Sequence, residues 1–168
     1  FLSKRSDSPR LGFFFREGDI RDKVFLEGIF NEFKCKKQPI EAVMHFAGLK
    51  SVNESLVQPL NYWNNNVFGT INLLNIMSLY DCKNIIFSSS ATVYKPQLNQ
   101  SLNEESALAP INPYGNTKLI IEKLLSDIYL SQPKEWRIIS LRYFNPVGAH
   151  SSGLLGESPK GTANNLFP

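Results

Sequence analysis

A tyrosine and a lysine stand one helical turn apart in Tyr114-Gly115-Asn116-Thr117-Lys118, and the serine triplet Ser88-Ser89-Ser90 lies upstream. Positions i and i+4 share one face of an α-helix, so a phenol and an ammonium in this spacing can serve one site. A lysine cation beside a phenol favours the phenolate and lowers a pKa of about 10, which makes a general base near neutral pH. Taken alone, the spacing also fits an exposed helix pair. Its place along the chain decides between the two.

Three apolar runs read as buried parallel strands: Glu41-Ala42-Val43-Met44-His45-Phe46, Asn84-Ile85-Ile86-Phe87 and Arg137-Ile138-Ile139-Ser140-Leu141-Arg142-Tyr143-Phe144. They lack strict alternation, as expected for strands covered on both faces. Between the first two, residues 59–80 read as a long helix with an inner stripe of Val67, Ile71, Leu74 and Ile76 or Met77. Gly69 would let it approach the sheet. Between the second and third lies the helix that carries the tyrosine and lysine. Asn112 can cap it, and Pro113 suits its first turn. Ile120, Ile121, Leu124, Leu125 and Ile128 supply its apolar face. An earlier helix over 21–33 would turn Val24, Phe25, Ile29 and Phe33 inward, and residues 95–110 read as a loop. Strand and helix alternate, which implies βαβ units and a doubly wound α/β sheet.

Open parallel sheets bind ligands beyond the carboxyl ends of their strands. Here those ends read Ala47-Gly48-Leu49-Lys50, Ser88-Ser89-Ser90-Ala91-Thr92 and Phe144-Asn145-Pro146-Val147-Gly148. Gly48 admits close backbone approach, and the serines offer hydroxyls. Loop chemistry could explain any one of them. All three beside the Tyr114 helix start point to a cofactor site.

Composition narrows the field. A length of 168 residues suits one domain with a real core, and the 42 % hydrophobic and 20 % charged content is ordinary for a soluble protein. A net charge of +3 is too small to argue for a nucleic-acid partner. No apolar run is long enough to span a bilayer. Cys35 and Cys82 read as free thiols in a reducing, cytoplasmic setting, and isolated His45 and His150 do not suggest a metal.

The segments that carry most information are Glu17-Gly18-Asp19-Ile20-Arg21-Asp22, His45-Phe46-Ala47-Gly48-Leu49-Lys50, Asn65-Asn66-Val67-Phe68-Gly69-Thr70 and Phe87-Ser88-Ser89-Ser90-Ala91-Thr92-Val93-Tyr94. Pro113-Tyr114-Gly115-Asn116-Thr117-Lys118 and Leu141-Arg142-Tyr143-Phe144-Asn145-Pro146-Val147-Gly148-Ala149-His150 complete them. Together they resemble the extended short-chain dehydrogenase/reductase family, and most closely its branch that epimerises UDP-hexoses at carbon 4. Tyr-x-x-x-Lys marks only the superfamily; the longer segments are much more specific.

The resemblance implies a partial Rossmann-like NAD-binding domain over 1–147 and the start of a nucleotide-sugar region over 148–168. It implies catalytic roles for Tyr114, Lys118 and Ser90: Tyr114 takes the proton of the sugar's 4-hydroxyl, Lys118 holds the nicotinamide ribose, and Ser90 relays the proton. Asp19 and Ile20 would meet the adenine. Phe46, Ala47, Gly48, Leu49 and Lys50 would line the dinucleotide with Asn66 alongside, and Ser88 and Phe144 would lie near the nicotinamide. Asn145, Asn165 and Leu166 would contact the UDP-sugar, and the working form would be a homodimer. On the residues alone, Phe46 and Phe144 could equally be core aromatics, Asp19 a turn or cap residue, and Asn66 a tolerated helix polar residue.

One part of the family pattern is missing. No Gly-x-Gly-x-x-Gly turn appears, although a helix N-terminus after such a turn would hold the pyrophosphate. The chain therefore reads as a piece of a longer protein, active only where that loop is supplied. The alternatives are a truncated, catalytically silent fragment or assembly module, and another NAD-dependent sugar-nucleotide epimerase or dehydratase.

Overall fold

The computed structural model describes residues 12–98, 101–148 and 150–154; Asn165 and Leu166 lie outside them. Helix α1 (Lys23–Cys35) precedes strand β1 (Val43–His45), followed by the short helices α2 (Val52–Val57) and α3 (Pro59–Tyr62). A π-helical segment, Trp63–Phe68, joins α3 to α4 (Gly69–Leu79). Strand β2 (Asn84–Ser90), a 3₁₀ turn (Ala91–Val93), helix α5 (Pro113–Ser131) and strand β3 (Arg137–Tyr143) complete the order. The three strands form one parallel sheet in the order β1-β2-β3, with His45 opposite Phe87 and Ser90 opposite Tyr143.

The core lies on the face of the sheet that carries Ile85 and Phe87. Leu73, Leu74, Ile76 and Met77 of α4, Ile121 and Leu125 of α5, and Phe30 of α1 pack there with Trp136. Met44, Ile139 and Leu141 on the opposite face are exposed among the described residues, so only one face is seen to be covered.

Several expected inward residues point elsewhere. Ile71 is 39 % exposed, whereas Thr70 and Leu73 are buried. The π segment accounts for this: its wider turn shifts the phase of the helix that follows. Val24 and Ile120 also face outward, and Leu26 and Phe30 carry α1 instead. Gly69 serves a close approach, but to Ile20 rather than the sheet: a Cβ there would lie 2.5 Å from Ile20 Cγ2. The 95–110 segment carries no helix or strand among its described residues, only an isolated bridge between Tyr94 and Leu108.

Candidate active site

The site is built where β2 ends and α5 begins. Asn112 caps α5, its Oδ1 accepting the Gly115 N–H at 2.8 Å, and Pro113 occupies the first turn as its fixed φ favours. Ser90 ends β2 and caps the 3₁₀ turn, its Oγ accepting from Thr92 N at 3.2 Å and Thr92 Oγ1 at 3.0 Å. With both lone pairs engaged, its own O–H is directed away from that turn. A Cβ on Gly115 would stand 2.6 Å from the Thr92 carbonyl oxygen and 2.9 Å from Pro110 Cβ. The glycine inside the Tyr-Gly-x-x-Lys spacing thus lets α5 rest bare backbone on the serine turn. Spacing alone did not reveal that role.

Tyr114 and Lys118 are both buried, with 9 % and 5 % of their surfaces exposed. The Tyr62 ring meets Tyr114 edge-on at 6.4 Å, and Tyr62 donates its hydroxyl to Glu54 Oε2 at 2.9 Å. Lys118 Nζ donates to the Ser88 carbonyl at 2.7 Å and lies 4.8 Å from the Phe87 ring centroid. The ammonium is 5.7 Å from the Tyr114 ring centroid.

The electrostatics correct the expectation of a phenol lowered by its lysine. Burial pushes the Tyr114 phenol up, and the group that pulls it back is the Ser90 hydroxyl. Burial also lowers Lys118 to about 8, so it keeps its proton at neutral pH. The cation's hydrogen bond goes to Ser88 rather than to the phenol, which explains the difference.

A buried polar chain ties this helix start to the loop after β1. Asn66 Nδ2 donates to the Leu49 carbonyl at 3.0 Å and to Thr117 Oγ1 at 3.2 Å, while its Oδ1 accepts the Leu49 N–H at 2.8 Å. Thr117 Oγ1 in turn donates to the Tyr114 carbonyl at 2.7 Å. Asn66 therefore fastens the Gly48-Leu49 loop to the first turn of α5, and its amide is committed to that task. Its neighbour Asn65 is half-buried and makes no side-chain hydrogen bond among the described residues.

Thr70 Oγ1 donates to the Asn66 carbonyl at 2.5 Å, so the buried His45 Nε2, 2.8 Å from that oxygen, must be the donor to it. Burial first, and the Lys118 charge second, lower His45 from 6.5 to about 4. The unfolded chain therefore binds the extra proton between these values, and stability present above pH 6.5 is lost as pH falls toward 4. The difference amounts to roughly 3 kcal/mol as an upper figure. Urea unfolding at pH 7 and pH 4.5 should show the acid loss, and a His45→Asn variant should lack this component.

The remaining expected residues are placed as follows. Phe46 and Phe144 are 54 % and 62 % exposed at the ends of β1 and β3, so neither is a core aromatic. Ala47, Gly48, Lys50 and Asn145 are exposed, and Leu49 is half-buried. Ser88 turns its backbone carbonyl to Lys118. Asp19 forms an ion pair with Arg21 at 2.6 Å, and its carbonyl accepts the Asp22 N–H at 3.0 Å, which is a turn role. That guanidinium lowers the Asp19 carboxyl to about 2. Ile20 packs on Gly69 at the start of α4, three residues beyond Asn66.

A parallel sheet with a capped Tyr/Lys helix and a serine turn at its strand ends defines a Rossmann-like class of α/β protein. The chain belongs to the family described as GDP-mannose 4,6 dehydratase, whose model matches residues 2–162. Within it, the chain is 53 % identical over 154 residues to UDP-glucose 4-epimerase 2 of Arabidopsis thaliana, covering 92 % of this chain and 42 % of that protein. It is 52 % identical over 153 residues to UDP-glucose 4-epimerase of Yersinia pestis, covering 90 % and 43 %. The chain thus spans less than half the length of these curated relatives. Among solved structures it is similar to UDP-glucose 4-epimerase from Bifidobacterium longum in complex with NAD+ and UDP, with a TM-score of 0.80 and 47 % identity over 90 % of this chain and 44 % of that one.

Proposed function

We propose that the protein carrying this chain is an NAD-dependent UDP-glucose 4-epimerase, interconverting UDP-galactose and UDP-glucose in galactose metabolism. The convergence of Tyr114, Lys118 and Ser90 at the end of β2 carries this reading, supported by more than half identity to a curated epimerase. The residues present fit the dinucleotide. Gly48, at φ +158, leaves bare backbone where a Cβ would stand 3.1 Å from Asn66 Oδ1. The exposed rings of Phe46 and Phe144 offer flat apolar surfaces at the strand ends on either side of β2. Bound there, NAD would supply a reversible hydride acceptor for sugar carbon 4.

The chain's own residues handle the proton. Ser90 donates its O–H toward the Tyr114 oxygen, and its Oγ accepts from the sugar's 4-hydroxyl in place of the Thr92 hydroxyl. Tyr114 acts in its phenolate form, receiving the proton that leaves that hydroxyl and giving it back when carbon 4 is reduced. Lys118, charged and held by the Ser88 carbonyl, reaches the nicotinamide ribose. Asn66 keeps the Gly48-Leu49 loop in register with this helix start. Asp19 and Ile20 serve the adenine end, and Asn145 with Asn165 and Leu166 serves the UDP-sugar.

The outward residues Phe68, Ile71 and Leu79 of the π segment and α4, and Ile120, Tyr129 and Leu130 of α5, form apolar flanks suited to a homodimer. No helix among the described residues is long and apolar enough to cross a membrane, and a cytoplasmic setting suits the free thiols of Cys35 and Cys82. The test is an assay of UDP-galactose conversion against other sugar nucleotides, including GDP-mannose. UDP-glucose should be the dominant product. Turnover of GDP-mannose alone would favour the second reading, a sugar-nucleotide dehydratase, which the family match supports.

A further inference from the structure

A carboxylate–guanidinium pair that the chemistry above does not use lies behind the serine turn. Glu122 of α5 and Arg142 of β3 have side chains only 10 % and 20 % exposed. Glu122 Oε1 accepts from Ser89 Oγ at 2.5 Å and from Arg142 Nε at 3.0 Å, and its Oε2 accepts from Arg142 NH2 at 2.8 Å. Arg142 NH1 donates to the Tyr94 hydroxyl oxygen at 3.0 Å and to the Glu104 carbonyl at 3.3 Å. The guanidinium also sits 4.9 Å over the Tyr94 ring.

These bonds bracket one residue. Ser89 immediately precedes Ser90, and Tyr94 closes the 3₁₀ turn through its N–H on the Ala91 carbonyl at 3.1 Å. Both ends of the Ser90 turn are thus tied to a single ion pair that spans α5 and β3. Tyr94 further stacks on Phe144, with centroids 6.5 Å apart, and so extends the same clamp to the end of β3. Burying an ion pair is a poor source of stability, since apolar residues of similar volume often do as well. What apolar residues cannot supply is a set of directed bonds to a serine, a phenol and a backbone carbonyl.

We propose that Glu122 and Arg142 are positioning residues for the reaction, clamping the turn so that the Ser90 hydroxyl faces the Tyr114 phenol. The proposal rests on the epimerase reading for its substrate but not for its geometry. Neither residue touches the reacting atoms; both act through Ser90.

The test is a double-mutant cycle in the protein that carries this chain. Glu122→Gln should lower kcat on UDP-galactose by about a hundredfold, the cost of a small misplacement, with KM changed by less than about threefold. In a Ser90→Ala background the same substitution should cost nothing further, because coupled residues do not add. Arg142→Lys, which keeps the charge and loses the fork, should behave alike and guards against a misfolded Glu122 variant. Additive losses, or a lowered melting temperature with unchanged kcat, would overturn the proposal. A second readout needs no substrate: the ultraviolet titration difference between the protein and its Tyr114→Phe variant. Its midpoint should move upward in Glu122→Gln, since the Ser90 hydroxyl holds that phenol down; an unmoved midpoint overturns the clamp. An unmodified protein inactive on UDP-galactose, with the midpoint still shifted, would instead sink the epimerase reading alone.

Discussion

Tyr114→Phe is expected to lower epimerase turnover by roughly two to four orders of magnitude, as loss of a general base does. The substitution removes one oxygen and little else. The ring keeps its edge contact with Tyr62 and its place in the first turn of α5, which Asn112 caps independently of the phenol. Stability and NAD retention should therefore stay near those of the unmodified protein, and KM should move little. Steady-state kinetics with measured bound cofactor make the check. Unchanged turnover with NAD still bound would remove Tyr114 from the proton path and shift attention to Ser90.

Lys118→Met is expected to cost roughly a hundred- to a thousandfold in turnover, the scale of losing one preorganised electrostatic group. Methionine fills most of the stem's volume but leaves the Ser88 carbonyl without its donor at 2.7 Å. Losing that partner costs about 1–3 kcal/mol on its own, so the variant should also melt earlier. The pH dependence separates charge from packing. Lys118 is held down from 10.5 to about 8 by burial, so its positive charge fades above about pH 8. Its linkage to folding runs the other way: the unfolded chain binds the proton more tightly, so this residue's contribution to stability rises between pH 8 and 10.5. Turnover of the unmodified protein should fall over that window while the methionine variant stays flat. A parallel decline in both would assign the fall to another group.

The two residues met first in the sequence keep their place but exchange their reasons. Four-residue spacing implied that lysine lowers the tyrosine through space. In the fold the lysine's bond goes to the Ser88 backbone, and Ser90 is the group that acts on the phenol. Such an outcome depends on where side chains turn after packing, which spacing does not encode. The exposed rings of Phe46 and Phe144 are a similar case, because an aromatic next to an apolar strand reads as core until the strand's end is located. Asn66 reads in the sequence as a cofactor contact, and in the fold its buried amide also fastens the Gly48-Leu49 loop to the start of α5. A signal for this was present in the unusual asparagine run, which a regular helix would not favour. The π segment it forms, and the shift in phase that turns Ile71 outward, depend on contacts across the fold.

By itself the sequence determined the parallel α/β order, the cap and first turn of α5, and the meeting of three polar strand ends near Tyr114. These follow from local pattern: apolar runs, an asparagine–proline helix start, and small residues where strands stop. Tertiary structure alone decided the rest. It set the Glu122–Arg142 clamp around the serine turn, the bare glycine contact with Thr92, and the balance of burial and hydrogen bonding on the phenol. Each joins residues far apart in the chain, and only packing brings such groups within the few ångströms at which hydrogen bonds and desolvation act.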